Sequence, residues 1–135
     1  MGTWGAFARD VLALGGWPTH QSNHTALVCA FAGEGTKARF NPWATTRPEP
    51  GATDFNTSHV KNYVSWEQGV KATVDTLKNG NYQEIIDCLR RHDAAAVTLA
   101  AIDASPWGTH FPDPQGFVDG VRTRWSLYAF KAVAA

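Results

Sequence analysis

The fold is decided by Ser22-Asn23-His24-Thr25-Ala26-Leu27-Val28-Cys29-Ala30-Phe31-Ala32-Gly33-Glu34, an apolar stretch that ends in a carboxylate. Its apolar residues recur at helical spacing and predict a helix. Glu34 shares one face of that helix with Leu27 and Phe31. An apolar environment and the negative end of the helix dipole both disfavour ionisation, so we expect the pKa of Glu34 to be raised.

A carboxylic acid that stays protonated near neutral pH is the proton donor that glycoside cleavage requires. We therefore interpret Glu34 as a candidate general acid, and we expect the chain to cut a sugar polymer.

Length and composition predict one globular domain over residues 1–135, with 44% hydrophobic and 18% charged residues. The twelve basic and twelve acidic residues cancel, which argues against a nucleic-acid partner. The N-terminus does not have the pattern of a signal peptide, and no apolar run has the length of a membrane span. We expect a monomer that does not insert into membranes.

Helix starts and stops can be predicted along most of the chain. Thr3 is expected to cap a first helix with Phe7, Val11 and Leu14 on its apolar stripe, and Gly15-Gly16 to end it. Ser22 or Asn23 is expected to cap the helix that leads to Glu34. Two further helices are predicted to begin at capping boxes, Ser65-Trp66-Glu67-Gln68 and Asn81-Tyr82-Gln83-Glu84. Asp93 is expected to cap a helix through Ile102, and one last helix is predicted from the apolar stripe of Phe117, Val121, Trp125 and Tyr128.

Residues 35–64, called the lobe below, have a different composition. Pro42, Pro48, Pro50 and Gly51 predict loop or short irregular β-structure there. Connections of this length in small domains are usually functional. The sequence therefore predicts a mainly α domain with a small irregular or β lobe.

Several short motifs occur in a fixed order over nearly the whole chain. They are Glu34 at a helix end, Asn41-Pro42, Thr45-Thr46, Phe55-Asn56, Val60-Lys61-Asn62-Tyr63, Trp66 with Gly69, and Ser105-Pro106-Trp107-Gly108-Thr109. This ordered set resembles the lysozyme-like catalytic domains of phage endolysins and tail-associated lysins, which are distant relatives of goose-type lysozymes and lytic transglycosylases.

The resemblance implies an α+β lysozyme-like fold, with bacterial peptidoglycan as partner and substrate. Cleavage would fall between N-acetylmuramic acid and N-acetylglucosamine, without a cofactor, and the catalytic glutamate of the family aligns with Glu34. The implied location is the host cytoplasm before lysis and then the cell wall, or the phage virion.

A second catalytic group is less evident. Asp54 is the carboxylate deep in the lobe, and it is expected to be a general base, an electrostatic stabiliser or a turn residue. Thr46 is a candidate for holding a water molecule or a substrate amide. In goose-type relatives one glutamate can suffice, so hydrolase and transglycosylase both remain open.

Substrate contacts are predicted for polar and aromatic side chains in or beside the loops. These are Asn41, Thr45 and Asn56 for hydrogen bonds to the sugar, and Tyr63, Trp107 and Phe111 for a cleft wall.

Other chemistries have weaker support. The five histidines form no His-Glu-x-x-His motif, so we expect no metal site and no zinc amidase. Cys29 and Cys88 lie in apolar helices and are expected to be buried free thiols rather than nucleophiles. The rival from another class is a non-catalytic wall-binding or structural domain, which would be favoured by a cleft plugged by side chains or by an ion pair from Glu34 to Lys37 or Arg39.

Overall fold

Helices dominate the computed structural model, which describes residues 2–135. In chain order its elements are α1 (Trp4–Gly15), α2 (Gln21–Glu34), β1 (Thr53–Asp54), β2 (Lys61–Asn62), α3 (Trp66–Leu77), α4 (Gln83–Arg91), α5 (Ala95–Asp103), α6 (Pro114–Thr123) and α7 (Trp125–Ala129). The prediction of a mainly α chain with a small irregular or β lobe is confirmed.

Helix α2 is the central helix of the molecule, because residues 23–31 are buried on every side. It packs against α1, α5, α6 and α7. Two of its buried polar side chains form hydrogen bonds within the core: Asn23 Nδ2 donates to the carbonyl oxygens of Pro18 and Leu89, both at 2.8 Å, and His24 Nε2 lies 2.8 Å from the carbonyl oxygen of Gly5. Asn23 Oδ1 is buried without a hydrogen-bond partner among the described residues. The burial fixes the position of the last residue of α2, Glu34.

The predicted N-cap of α2, Ser22 or Asn23, is wrong by two or three residues. His20 is the N-cap, and its Nδ1 accepts from the backbone N–H of Ser22. Asn23 does not cap the helix because its side chain is used inside the core, and the Ser22 hydroxyl donates instead to the carbonyl oxygen of His92.

Helix α1 begins at the predicted cap, since Thr3 Oγ1 accepts from the backbone N–H of Ala6. It ends at Gly16, whose φ of 78° is left-handed, as the glycine pair predicts. The expectation that Leu14 belongs to the buried stripe is wrong: Leu14 is 55% exposed, and Leu12 lies in the core. Leu14 lies at the edge of the buried face, beside an open apolar depression.

Of the three caps predicted for α3, α4 and α5, two are also wrong. Ser65 caps α3 as expected, accepting from the N–H of Gln68. At α4, however, the N-cap position belongs to Tyr82 and not to Asn81. At α5 it belongs to Ala94, because the Asp93 carboxylate forms an ion pair with Arg91 at 2.9 Å.

The last predicted helix is two helices. The chain leaves helical geometry at Arg124, whose φ and ψ are −119° and 37°, so that the predicted stripe is divided between α6 and α7. Helix α7 packs against α1 and α2 as well as α6. Among the described residues no helix is long and apolar enough to cross a membrane.

The lobe contains one small antiparallel hairpin, in which Thr53 lies opposite Asn62 and Asp54 opposite Lys61. Trp43 attaches the lobe to the core: it is fully buried, meets Phe31 of α2 edge to face at 6.0 Å and stacks on Trp107 at 4.0 Å.

Candidate active site

Glu34 is the last residue of α2, and its side chain is partly buried. Gly35 follows with a left-handed φ of 59° and donates its N–H to the carbonyl oxygen of Phe31, which ends the helix. The buried face below, with Leu27 and Phe31 fully enclosed, is the apolar face predicted from the sequence. The carboxyl group therefore stands where the core meets the surface.

One side chain from a distant part of the chain contacts this carboxyl group. The hydroxyl of Thr109 donates a hydrogen bond to Glu34 Oε1. Thr109 lies in the connection between α5 and α6 (residues 104–113, called the α5–α6 loop below), and it is itself buried. Thr109 belongs to the motif Ser105-Pro106-Trp107-Gly108-Thr109, which does not by itself assign it a role.

The close approach of this loop to α2 depends on a glycine. A Cβ atom at Gly33 would lie 2.9 Å from Phe111 Cζ and 3.0 Å from Thr109 Cγ2, so both side chains would have to shift to admit it. An isolated glycine inside an otherwise apolar helix usually has a packing reason of this kind. Gly33 therefore marks the place where the α5–α6 loop packs against the last turn of α2.

The environment of Glu34 favours its neutral form. Burial raises the pKa of Glu34 above its ordinary value, and the hydrogen bond from Thr109 acts in the opposite direction. Across residues 2–135 neither Lys37 nor Arg39 forms an ion pair with it. The ionic partner that would keep this carboxyl group charged is absent from the part of the chain that the structure describes.

Asp54 has the opposite environment. Its exposed carboxylate accepts from Lys61 Nζ and lies 3.0 Å from His59 Nδ1. Lys61 first, and then His59, hold the pKa of Asp54 below its ordinary value. Asp54 is therefore ionised and links the two strands of the hairpin.

Glu49, the other carboxylate of the lobe, lies between two cations. Its Oε1 is 3.5 Å from Lys71 Nζ and 3.7 Å from Arg47 Nε. Both acidic side chains of the lobe are thus occupied by basic partners.

Asn41, Thr45 and Tyr63 form a buried network inside the lobe. Asn41 Nδ2 donates to the carbonyl oxygens of Thr45 and Lys61, at 2.9 and 2.8 Å, and Asn41 Oδ1 accepts from the N–H of Thr45 at 2.9 Å. The Tyr63 hydroxyl donates to the carbonyl oxygen of Arg47 at 2.8 Å and lies 2.5 Å from Thr45 Oγ1. The placement of Tyr63 on a cleft wall is wrong, because its side chain is 0% exposed.

The same network bears on the predicted substrate contacts of Asn41 and Thr45. Both side chains are buried, and their polar atoms are bonded within the lobe. They shape the backbone of the lobe, and the structure offers neither side chain to a ligand at the surface.

Thr46 and Asn56 are exposed. Asn56 Oδ1 accepts from the backbone N–H groups of Ser58 and Val60, both at 3.1 Å, and so holds the turn of the hairpin. Thr46 is the predicted site residue whose side chain is exposed and for which no hydrogen bond is described.

The two aromatic residues of the α5–α6 loop differ from each other. Phe111 is 2% exposed and packs edge to face on Phe117 at 5.0 Å, so its predicted place on a cleft wall is wrong. Trp107 is partly buried, with one face stacked on Trp43 and its Nε1 donating to the carbonyl oxygen of Trp43 at 2.8 Å. Trp107 is therefore the aromatic candidate that keeps some exposed surface.

Cys29 and Cys88 are buried free thiols, as expected. Burial raises the pKa of Cys29 to about 12, so it is not a thiolate at neutral pH. Among residues 2–135 no group of three or more His, Cys, Asp or Glu side chains is arranged to hold a metal ion.

Surface depressions of about 310 to 500 Å³ lie between other elements, and Glu34 lines none of the five described. The most apolar of them is formed by α1 and α3 around Leu14 and Trp66. Comparison with protein-family profiles, curated protein sequences and solved structures finds no match to this chain.

Proposed function

We propose that this chain is a lysozyme-like domain that cleaves the glycan strands of bacterial peptidoglycan, with Glu34 as the general acid. One observation carries the proposal: Glu34 is partly buried at the end of a central helix, receives a hydroxyl hydrogen bond and has no basic partner among the described residues. The ordered motifs of the sequence supply the substrate class.

The proposed reaction uses one proton and returns it. Protonated Glu34 gives its proton to the glycosidic oxygen between N-acetylmuramic acid and N-acetylglucosamine while the bond from that oxygen to the anomeric carbon breaks. The resulting cation-like sugar is captured by water or by its own 6-hydroxyl group. In either case the attacking water molecule or 6-hydroxyl group gives a proton to the Glu34 carboxylate, which restores the acid form of Glu34.

The capture step separates two enzymes of one class. Attack by water gives a reducing end and makes the chain a muramidase. Attack by the 6-hydroxyl gives a 1,6-anhydro end and makes it a lytic transglycosylase. Asp54 is ionised and already bonded to Lys61 and His59, which supports a reaction in which Glu34 acts without a second carboxylate.

A second candidate is a non-catalytic wall-binding or structural domain of a phage particle. It is favoured by one observation, the absence of Glu34 from the five described depressions. Both candidates have peptidoglycan as partner, and both place the protein in a lysing host cell or in a virion.

Glu34→Gln distinguishes the two candidates. The amide keeps the shape and an acceptor for Thr109 but cannot donate the proton, so clearing of purified sacculi should slow by roughly a hundred- to ten-thousand-fold. Glu84→Gln is the matched control, because Glu84 is exposed on α4, and it should clear at the wild-type rate.

The assay should include sacculi with different stem peptides. Mass spectrometry of the released fragments then distinguishes anhydro ends from reducing ends. A Glu34→Gln protein that clears walls as fast as the Glu84→Gln control would contradict the proposal. A wild-type protein that sediments with the walls but releases no fragments would favour the second candidate.

A further inference from the structure

We propose that Thr109 is a positioning residue for Glu34, whose hydroxyl occupies Oε1 and so leaves Oε2 as the oxygen that delivers the proton. This inference rests on the proposed function for its chemistry, whereas the contact itself is a feature of the fold. The two residues are 75 positions apart.

The backbone on either side of Thr109 is anchored. On the N-terminal side of Thr109, Ser105 Oγ donates to the carbonyl oxygen of Ile102 at 2.6 Å and accepts from the N–H of Trp107 at 3.2 Å. On the C-terminal side of Thr109, the backbone N–H of Phe111 donates to Asp103 Oδ2 at 2.8 Å. Because both flanks are tied to the end of α5, the hydroxyl of Thr109 is held in place before any substrate arrives.

Glycines at two positions allow the contact. Gly33 lets the α5–α6 loop lie directly on the last turn of α2, since a Cβ there would meet Thr109 and Phe111. Gly108 has a φ of 89°, a left-handed conformation that side-chain-bearing residues rarely adopt. The loop and the helix are thus shaped to bring this hydroxyl to this carboxyl group.

A threonine hydroxyl has one hydrogen to donate. When Thr109 donates it to Oε1 of the neutral acid, that oxygen acts as the carbonyl oxygen and the acidic proton belongs on Oε2. The side chain of Glu34 therefore presents its proton in one defined direction, which is the orientation effect that a general acid requires.

The same hydrogen bond matters after proton transfer. A donor to a carboxylate stabilises the ionised form more than the neutral form. Thr109 therefore stabilises the charge that develops on Glu34 in the transition state, in a setting where burial alone would oppose it.

The test uses Thr109→Val, which keeps the branched shape without the hydroxyl, and Thr109→Ser, which keeps the hydroxyl. Carbon NMR titration of the full chain labelled at glutamate carboxyl groups gives the pKa of Glu34 in each protein, with Glu34→Gln to assign the signal. We expect a higher pKa for Glu34 in Thr109→Val than in wild type, and a value close to wild type in Thr109→Ser. Thr109→Ala gives a second protein without the hydroxyl if the valine variant does not fold.

Activity on soluble peptidoglycan fragments supplies the second readout. Without the hydroxyl, kcat should fall roughly ten- to a hundredfold while KM changes little, and the alkaline limb of the pH profile should move to higher pH. Thr109→Ser should restore most of kcat and the wild-type pH profile.

The outcomes separate this inference from the proposed function. An unchanged pKa of Glu34 in both variants without the hydroxyl overturns the role of Thr109, even where Glu34→Gln abolishes cleavage. A raised pKa in those variants, restored by serine, supports the coupling even where the wild-type protein cleaves no wall and the proposed function fails.

Discussion

Glu34 and Asp54 are both carboxylates at the last residue of a structural element, helix α2 and strand β1, yet their surroundings make them chemically different. Glu34 is partly buried, faces a hydroxyl donor and has a raised pKa. Asp54 is exposed between Lys61 and His59 and has a lowered pKa. The comparison shows how environment moves the pKa values of two carboxyl groups in opposite directions, upward by burial and downward by basic partners.

The two regions around these residues are also stabilised differently. Glu34 depends on the apolar core of α2 and on the α5–α6 loop, whereas the lobe is organised by hydrogen bonds that converge on Asn41. Trp43 joins the regions, because it lies in the lobe and packs on Phe31 and Trp107.

The largest effect on stability is expected when that junction is removed. Trp43→Ala should lower the free energy of unfolding by about 3–5 kcal/mol, the range for a buried large aromatic side chain. Phe55→Ala is the control, since Phe55 belongs to the lobe but is 42% exposed, and it should stay within about 0.5 kcal/mol of wild type. Urea denaturation measures both, and equal losses for the two variants would show that Trp43 does not join the regions.

The network inside the lobe gives the next largest effect. Tyr63→Phe leaves the buried Thr45 hydroxyl and the carbonyl oxygen of Arg47 without this partner, which should cost about 1–3 kcal/mol of unfolding free energy. Because Tyr63 is fully buried, the variant should bind sacculi like wild type in a sedimentation assay. If the variant bound sacculi more weakly while its stability was unchanged, the result would indicate that Tyr63 contacts the substrate in a cleft wall.

A smaller effect on stability is expected at Glu34, where the substitution should stabilise the protein rather than destabilise it. Its pKa is raised in the folded state, so the ionised form opposes folding. The stability that the neutral form contributes is complete below the unfolded-state pKa and is lost as the pH rises through the folded-state value. Glu34→Gln should therefore have a slightly higher Tm than wild type at pH 7, and the difference should vanish at pH 4. A Tm below wild type at pH 7 would mean that the charged form is the stabilised one.

The smallest effect is expected at Asp54. Asp54→Asn removes an exposed charge that links the hairpin, and exposed ion pairs contribute little to stability. The fold should therefore be kept, and the rate of wall cleavage should remain within a few-fold of wild type. A loss as large as that of Glu34→Gln would make Asp54 the second catalytic carboxylate and would end the contrast between the two residues.

Local signals were sufficient to predict much of the fold. The cap at Thr3, the glycine stop at Gly16 and the cap at Ser65 act within one helical turn, so the sequence alone identifies them. Asp93 has the right residue type for a cap, but its ion pair with Arg91 leaves the cap position to Ala94. The break at Arg124 escaped prediction because the apolar spacing continues through it.

The candidate site was predictable only in part. Glu34 follows from its own helix, because the pattern of that helix contains both the apolar face and the carboxylate. Thr109 and Trp43 act through contacts with residues far away in the sequence, so no local pattern assigns their roles. Tyr63 and Phe111 were misplaced because an aromatic residue in a loop fills the core beneath it as readily as it lines a cleft.

The most direct test of the central claim is the carboxyl titration of Glu34 and Asp54 in one sample of the wild-type protein, followed by carbon NMR. The account predicts that Glu34 titrates above the ordinary glutamate value of 4.5 and that Asp54 titrates below the ordinary aspartate value of 3.8. A Glu34 midpoint at or below 4.5 would contradict the account, because the proposed acid would then hold no more protons at neutral pH than an ordinary surface glutamate.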